Sequence, residues 1–196
     1  MFRNNFQVLE DISSRILDNT LPGTVAQSLV TDTFSATIYR DDATSMMNQT
    51  IQISGMTREL STSIQLPSSF NTSSRASGNV FDHMSDIGVR ALLGPSPYFD
   101  SPSSQNMTAP VVLSLVFDQG KTRANISNLI EPILFEIPIP PPGLNLIRLN
   151  RNESQRGYRP FCKYWDERQD RWSTSGCAMV NYTRLSITCA CNHTTD

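Results

Sequence analysis

The chain has 196 residues, 38% of them hydrophobic and 17% charged, with a formal net charge of −2. That length supports one domain, or one domain with a small appendage, around a real core. It has no Lys/Arg run, which excludes the electrostatic footprint of a nucleic-acid binder. It also has no apolar run of roughly 18 residues, so it contains no membrane-spanning segment.

Ser, Thr, Asn and Gln make up the uncharged polar remainder. This is the composition of an extracellular β-rich domain rather than of a cytosolic helical one. The N-terminal MFRNNFQVLEDISSRIL has acidic residues where a signal peptide keeps an apolar run. The chain therefore reads as a piece of a longer protein.

Phe6, Leu9, Ile12 or Ser13, and Ile16 recur at helical spacing, with Leu17 beside them. They predict an amphipathic helix of about fifteen residues that stops near Asn19, before Pro22-Gly23. A short helical turn is expected through Val25 to Val30. From Phe34 the period changes to two. FSATIYR (34–40), IQIS (51–54) and SIQL (63–66) read as strands, and Pro67 to Gly78 as an exposed Ser/Asn-rich loop. Asp86 to Leu93 fits a strand or a turn of helix equally well. GPSPYFDSPSSQN (94–106) reads as a loop. VVLSLVF (111–117) is the strongest strand signal, apolar enough to lie between two layers, and a turn follows at Asp118 to Gly120. PILFEIPI (132–139) is another strand, and the run Pro140 to Pro142 after it belongs at an edge or outside the sheet. RPFCKYW, CAMVNY and RLSITCAC complete the set. Many short strands with regular turn signals predict a mainly β fold, an antiparallel β-sandwich preceded by one N-terminal amphipathic helix.

The distinctive chemistry lies in the last thirty-five residues, Cys162 to Asp196. All four cysteines and both tryptophans are here, together with His193, one of two histidines. The other, His83, sits in a polar stretch and is assigned no role. Asn-x-Ser/Thr acceptors occur at Asn48, Asn71, Asn106, Asn125, Asn152, Asn181 and Asn192. Half of the asparagines are therefore in sequons, an excess that points to the secretory pathway. An even, clustered set of cysteines fits an oxidising compartment.

The residues alone leave three readings of the cluster. Two disulfides could staple the last strands. A bridge closing a loop of some twenty-five residues would contribute roughly 3–4 kcal/mol in the chain-entropy model, with Trp165 and Trp172 packed over the bridges. Zinc could use the cysteines and His193, but zinc sites use C-x2-4-C knuckles and this chain has one C-x-C and two isolated cysteines. A nucleophilic cysteine fits poorly with an even set in a secretory chain.

Written out, the spacing is C-x2-W-x6-W-x4-C-x11-C-x-C-x-H-x-T over residues 162 to 195. It closely resembles the GPS motif, the proteolysis site of GAIN domains, which lie just outside the membrane in adhesion G-protein-coupled receptors and polycystin-type channel proteins. One helix followed by a string of strands is similar to the β-sandwich half of such a domain, subdomain B. The resemblance implies disulfides between Cys162 and Cys189 and between Cys177 and Cys191, with Trp165 and Trp172 as core residues. It divides the chain into a helical lead-in (1–30), a remnant of the helical subdomain, and a sandwich (31–196) that includes the GPS motif.

The resemblance also implies a reaction. His193 would take the hydroxyl proton of Thr195, whose oxygen would attack the carbonyl of Thr194. An N-to-O acyl shift and hydrolysis would then cut the chain once, with the two pieces remaining bound. A hydroxyl is a weak nucleophile until a base activates it. A neutral imidazole suits that task, and a rigid turn supplies the effective concentration. Position 194 is Thr where the family usually has Leu; it is β-branched and it makes Asn192 a sequon.

The function expected is that of an extracellular juxtamembrane module of a larger membrane receptor or channel, able to cleave itself once in cis and not to turn over. The other reading is a non-cleaving, disulfide-stabilised adhesion or spacer module. No cofactor and no metal is implied. The partners implied are the rest of the parent chain, namely a downstream strand and a transmembrane region, and an extracellular protein ligand.

Overall fold

The computed structural model describes residues 2–31, 34–54, 61–72, 81, 86–95, 111–138, 162–166, 168–169, 171–183 and 186–194. The described residues form two helices and twelve strands. α1 (Phe2–Asp18), β1 (Gln27–Val30), β2 (Ser35–Asp42), α2 (Ala43–Met46), β3 (Thr50–Ile53) and β4 (Thr62–Gln65) form the first half. β5 (Asp86–Pro95), β6 (Val111–Gln119), β7 (Thr122–Ala124) and β8 (Ile133–Pro138) follow. The last segment holds β9 (Tyr164–Asp166), β10 (Arg171–Ser173), β11 (Cys177–Tyr182) and β12 (Ser186–Cys191).

Two five-stranded antiparallel sheets result. One has the order β1-β2-β5-β6-β7, the other β11-β12-β8-β4-β3, and β9-β10 form a separate hairpin. The apolar core holds Ile53, Ile64, Leu66 and Ile133 together with Ile87, Val89, Ala91, Leu115 and Phe117. It therefore draws on strands of both sheets. Phe70, Phe81 and Phe117 meet edge to face or tilted, with ring centroids 5.1 to 6.0 Å apart.

β5 explains why its own sequence is ambiguous. Ile87, Val89, Ala91 and Leu93 point into this core. The alternate residues are buried too, because α1 covers the other face of the sheet. Leu92 joins Leu9 and Ala36 in a small cluster there. A side chain at Gly88 would meet the tip of Leu17 at 2.4 Å. Buried on both faces, the strand loses its polar alternation.

Two arginines tie α1 to this sheet. Arg90 Nε donates to Asp118 Oδ2 at 2.7 Å, and Arg90 Nη1 donates to the Glu10 carbonyl at 3.3 Å. Arg40 pairs with Asp86, at 2.6 Å for Nη2 to Oδ2, and donates through Nη1 to the Leu17 carbonyl at 3.1 Å and the Thr20 carbonyl at 3.3 Å. Leu17 and Thr20 lie at the C-terminal end of the helix, where carbonyls lack intrahelical partners and a cation is favoured.

Several expectations change. The helix is longer than its periodic stripe, and the buried face follows Leu9, Ser13 and Leu17 while Ile12 stays 43% exposed. The segment through Val30 is not a helical turn but the edge strand β1, fixed by pairing with β2. The region after Pro67 is not simply an exposed loop. Phe70 is buried and anchors it in the core, and Asn71 accepts from the Ile130 amide at 2.9 Å. The turn expected at Asp118 comes later, because β6 runs on to Gln119 and turns at Gly120 into β7. β8 lies inside its sheet, between β12 and β4, with Pro138 at its last position opposite Ser186. The rest of the 94–106 loop, the prolines 140–142 and His83 lie outside the described residues.

Removing one partner of a buried ion pair leaves an uncompensated charge. Both side chains of the Arg90–Asp118 pair are about nine-tenths buried. Asp118→Ala is therefore expected to lower the unfolding free energy in urea by about 3 kcal/mol or more. Leu17→Ala should cost about 2–3 kcal/mol. Combined with Gly88→Ala it should cost less than the two changes summed, because the added methyl then fills the space that Leu17 vacates.

Candidate self-cleavage site in the C-terminal cystine cluster

Cys162 is bonded to Cys189, and Cys177 to Cys191. The second bridge joins residues directly opposite one another in the β11–β12 ladder, and Cys189 lies opposite Phe135 in β8. The four sulfurs thus share one cluster with Phe135, Ile137, Tyr164, Met179 and Ile187. Phe135 also packs on the main core, so the cluster is continuous with the sandwich. No free thiol remains, and among the described residues no group of three His, Cys, Asp or Glu could hold a metal ion.

The tryptophans are buried, at 7% exposure for Trp165 and 9% for Trp172. They are cross-strand partners in the β9–β10 hairpin and meet edge to face at 5.4 Å. The aromatic rings packed with the cystines are those of Phe135 and Tyr164 instead. The expectation that the tryptophans lie over the bridges is corrected here. Directly opposite positions on one face of a hairpin bring the two indoles onto each other.

After β10 the chain turns through Thr174, Ser175 and Gly176, closed by the Cys177 amide donating to the Thr174 carbonyl at 3.2 Å. Gly176 has φ +70°, a left-handed conformation that glycine adopts without cost. This turn meets the residues that follow β12. The Asn192 amide donates to the Gly176 carbonyl at 2.9 Å. On its other side the segment is tied to the chain before β8. The Leu129 amide donates to the Asn192 carbonyl at 2.8 Å, and the Thr194 amide to the Ile126 carbonyl at 3.0 Å.

His193 is half-buried between these ties. Its Nε2 lies 2.9 Å from the Ser175 carbonyl oxygen and 3.9 Å from Cys177 Sγ. Its Nδ1 lies 3.3 Å from the Thr194 carbonyl oxygen. Its ring meets Tyr164 edge on at 4.3 Å. Both ring nitrogens thus face carbonyl oxygens, which only accept. A neutral ring has one hydrogen to give, and the shorter contact favours Nε2 for it, so that Nδ1 turns its lone pair toward the carbonyl oxygen of the Thr194–Thr195 bond.

Thr194 is buried, at 8% exposure. Thr195 lies outside the described residues, as do Asn106 and Asn152. Asn48, Asn71, Asn125 and Asn181 are exposed, and Asn192 is half-buried. The sequence reading missed Ser175, Gly176 and Tyr164. The run Ser-Thr-Ser-Gly before Cys177 is a turn signal that could have drawn attention to the first two.

A family model described as GPS, GAIN subdomain B, matches residues 18–196. The mouse protein "Cadherin EGF LAG seven-pass G-type receptor 1" is 27% identical over 97 residues, which are 47% of this chain and 3% of that one. Mouse "Adhesion G-protein coupled receptor F1" is 38% identical over 52 residues, 26% of this chain and 5% of that one. The chain thus spans only a small part of the length of these relatives. The "Full extracellular region of zebrafish Gpr126/Adgrg6" matches the fold with a TM-score of 0.55 at 13% identity, over 93% of this chain and 26% of that one. With its family model covering nearly the whole sandwich and the cystine cluster, this chain belongs to the GPS family, as a GAIN subdomain B.

Proposed function

We propose that this GAIN subdomain B is the ectodomain module that joins the extracellular region of a larger adhesion receptor to its membrane segment, and that it cuts its own chain once between Thr194 and Thr195. The module works on the extracellular face, in keeping with its receptor relatives. The helix α1 is the lead-in, and the sandwich that carries the reaction opens with β1 (Gln27–Val30). The downstream partner is the parent chain's own next strand, followed by its transmembrane region. An extracellular protein ligand would act on the module from the other end. Exposed sequons at Asn48, Asn71, Asn125 and Asn181 are the preferred glycan acceptors.

The observation that carries the reading is the pair of contacts made by His193. The Ser175 carbonyl at 2.9 Å holds the hydrogen on Nε2, and Nδ1 stands 3.3 Å from the carbonyl oxygen of the bond to be cut. In the reaction Nδ1 takes the proton of Thr195 Oγ1 as that oxygen attacks the Thr194 carbonyl carbon. The new Nδ1–H is then close to the oxyanion and can donate to it. The C–N bond breaks, the proton passes to the leaving amine of Thr195, and an ester joins Thr194 to Thr195 Oγ1. Water hydrolyses the ester, giving a Thr194 carboxylate and a free Thr195 hydroxyl. The amides of Asn192 and Thr194, held by Gly176 and Ile126, fix the approach. Such immobilisation makes an intramolecular attack competitive with far more reactive nucleophiles in solution.

The module should be expressed with the residues that follow Asp196 in its parent and run on a reducing gel. Two fragments are expected, one beginning at Thr195. Thr195→Ala should abolish them, and His193→Ala should slow their appearance by about a hundredfold or more. Thr194→Leu, which removes the β-branch and the sequon, should raise the cleaved fraction. A single band for all forms would leave the non-cleaving spacer as the function.

A further inference from the structure

The turn before Cys177 holds a residue whose missing side chain makes room for the base. A Cβ at Gly176 would lie 2.4 Å from Asn192 Oδ1, 2.7 Å from His193 Cδ2 and 3.0 Å from His193 Nε2. The first two distances are shorter than real Cβ atoms show, so something must move. The Asn192 oxygen is the end of a side chain whose backbone alone is hydrogen-bonded, so it can rotate away, but the imidazole carbon belongs to a rigid ring. The imidazole would have to yield, although it is already in contact with Tyr164 and bonded to Ser175. Gly23 and Gly120 are also left-handed, at φ +75° and +63°, yet a Cβ at either meets nothing within 4 Å. Of these three turns, only the one at Gly176 requires glycine for space as well as for conformation.

We propose that Gly176 is a positioning residue for His193. Its bare Cα is the slot against which the imidazole lies, and with the neighbouring Ser175 carbonyl it sets the Nε2–H tautomer and aims Nδ1 at the Thr194 carbonyl. The consequence for cleavage rests on the self-cleavage reading above. The ring position and tautomer do not.

The test separates the two. Imidazole nitrogen shifts of the histidine-labelled chain are recorded above the histidine titration range, with His83→Gln used to assign His193. The wild type should show His193 as the Nε2–H form. Gly176→Ala should shift it toward a mixture of tautomers, and in the chain carrying the downstream residues it should slow cleavage by about a hundredfold. Gly120→Ala imposes comparable backbone strain in open space and should leave both readouts unchanged. A wild-type His193 in the Nδ1–H form overturns the proposal without recourse to any variant. So does an unchanged His193 spectrum in Gly176→Ala. A spectrum that responds as expected in a chain that never cleaves upholds the role of Gly176 and removes the self-cleavage reading instead.

Discussion

The C-terminal end of this module depends on one cross-strand bridge. Cys177 and Cys191 are register partners, so the bond between them ties the start of β11 to the end of β12 at a single level of the sheet. One residue beyond, Gly176 and Asn192 are joined by a backbone hydrogen bond, and two beyond, Ser175 meets His193. With a sequence separation of 14 between its cysteines, the bridge contributes about 3 kcal/mol by restricting the unfolded chain. Its larger consequence is geometric. It makes the approach of the 174–176 turn to residues 192–194 a property of the covalent chain, and the His193 ring is held between them.

The other end of the module is built differently. No cysteine reaches α1. The helix is held by Leu9 and Leu17 and by arginines from β2 and β5 that donate to its carbonyls. Such contacts are specific in direction, and they can be released by competition with water, whereas a disulfide can only be reduced. The sheet carrying α1 and the sheet carrying the cystines share one core, in which Phe135 touches both the inter-sheet packing and the sulfur cluster.

The architecture was largely legible. Period-two patterns gave most strands, and the Cys–Trp spacing carried the family. Legibility failed where burial came from both sides or from far away. β5 could not be told from a helix because α1 hides its second face. β1 read as a helical turn because four residues with weak alternation are decided by pairing with β2, which is not local information. Phe70 looked like part of a polar loop because its partners, Phe81 and Phe117, are distant in sequence. At the site, His193 stood out through its motif. Gly176 and Ser175 did not, since one acts through an absent side chain and the other through a carbonyl that every residue possesses. Spacing alone could not choose among the connectivities of four cysteines. The Cys177–Cys191 bridge follows from β11 lying beside β12, which leaves Cys162 for Cys189.

The Cys177–Cys191 bridge holds the His193 ring in place by locking the 174–176 turn against residues 192–194. Amide hydrogen exchange at Asn192 and Thr194, compared between the oxidised chain and Cys177→Ser/Cys191→Ser, tests it most directly. The Asn192 amide donates to the Gly176 carbonyl across the junction, and the Thr194 amide to the Ile126 carbonyl on the segment's other side. Strong protection of both is predicted in the oxidised chain, with loss of it at Asn192 in the double variant, while β5 and β6 stay protected. Equal protection in both forms would contradict it.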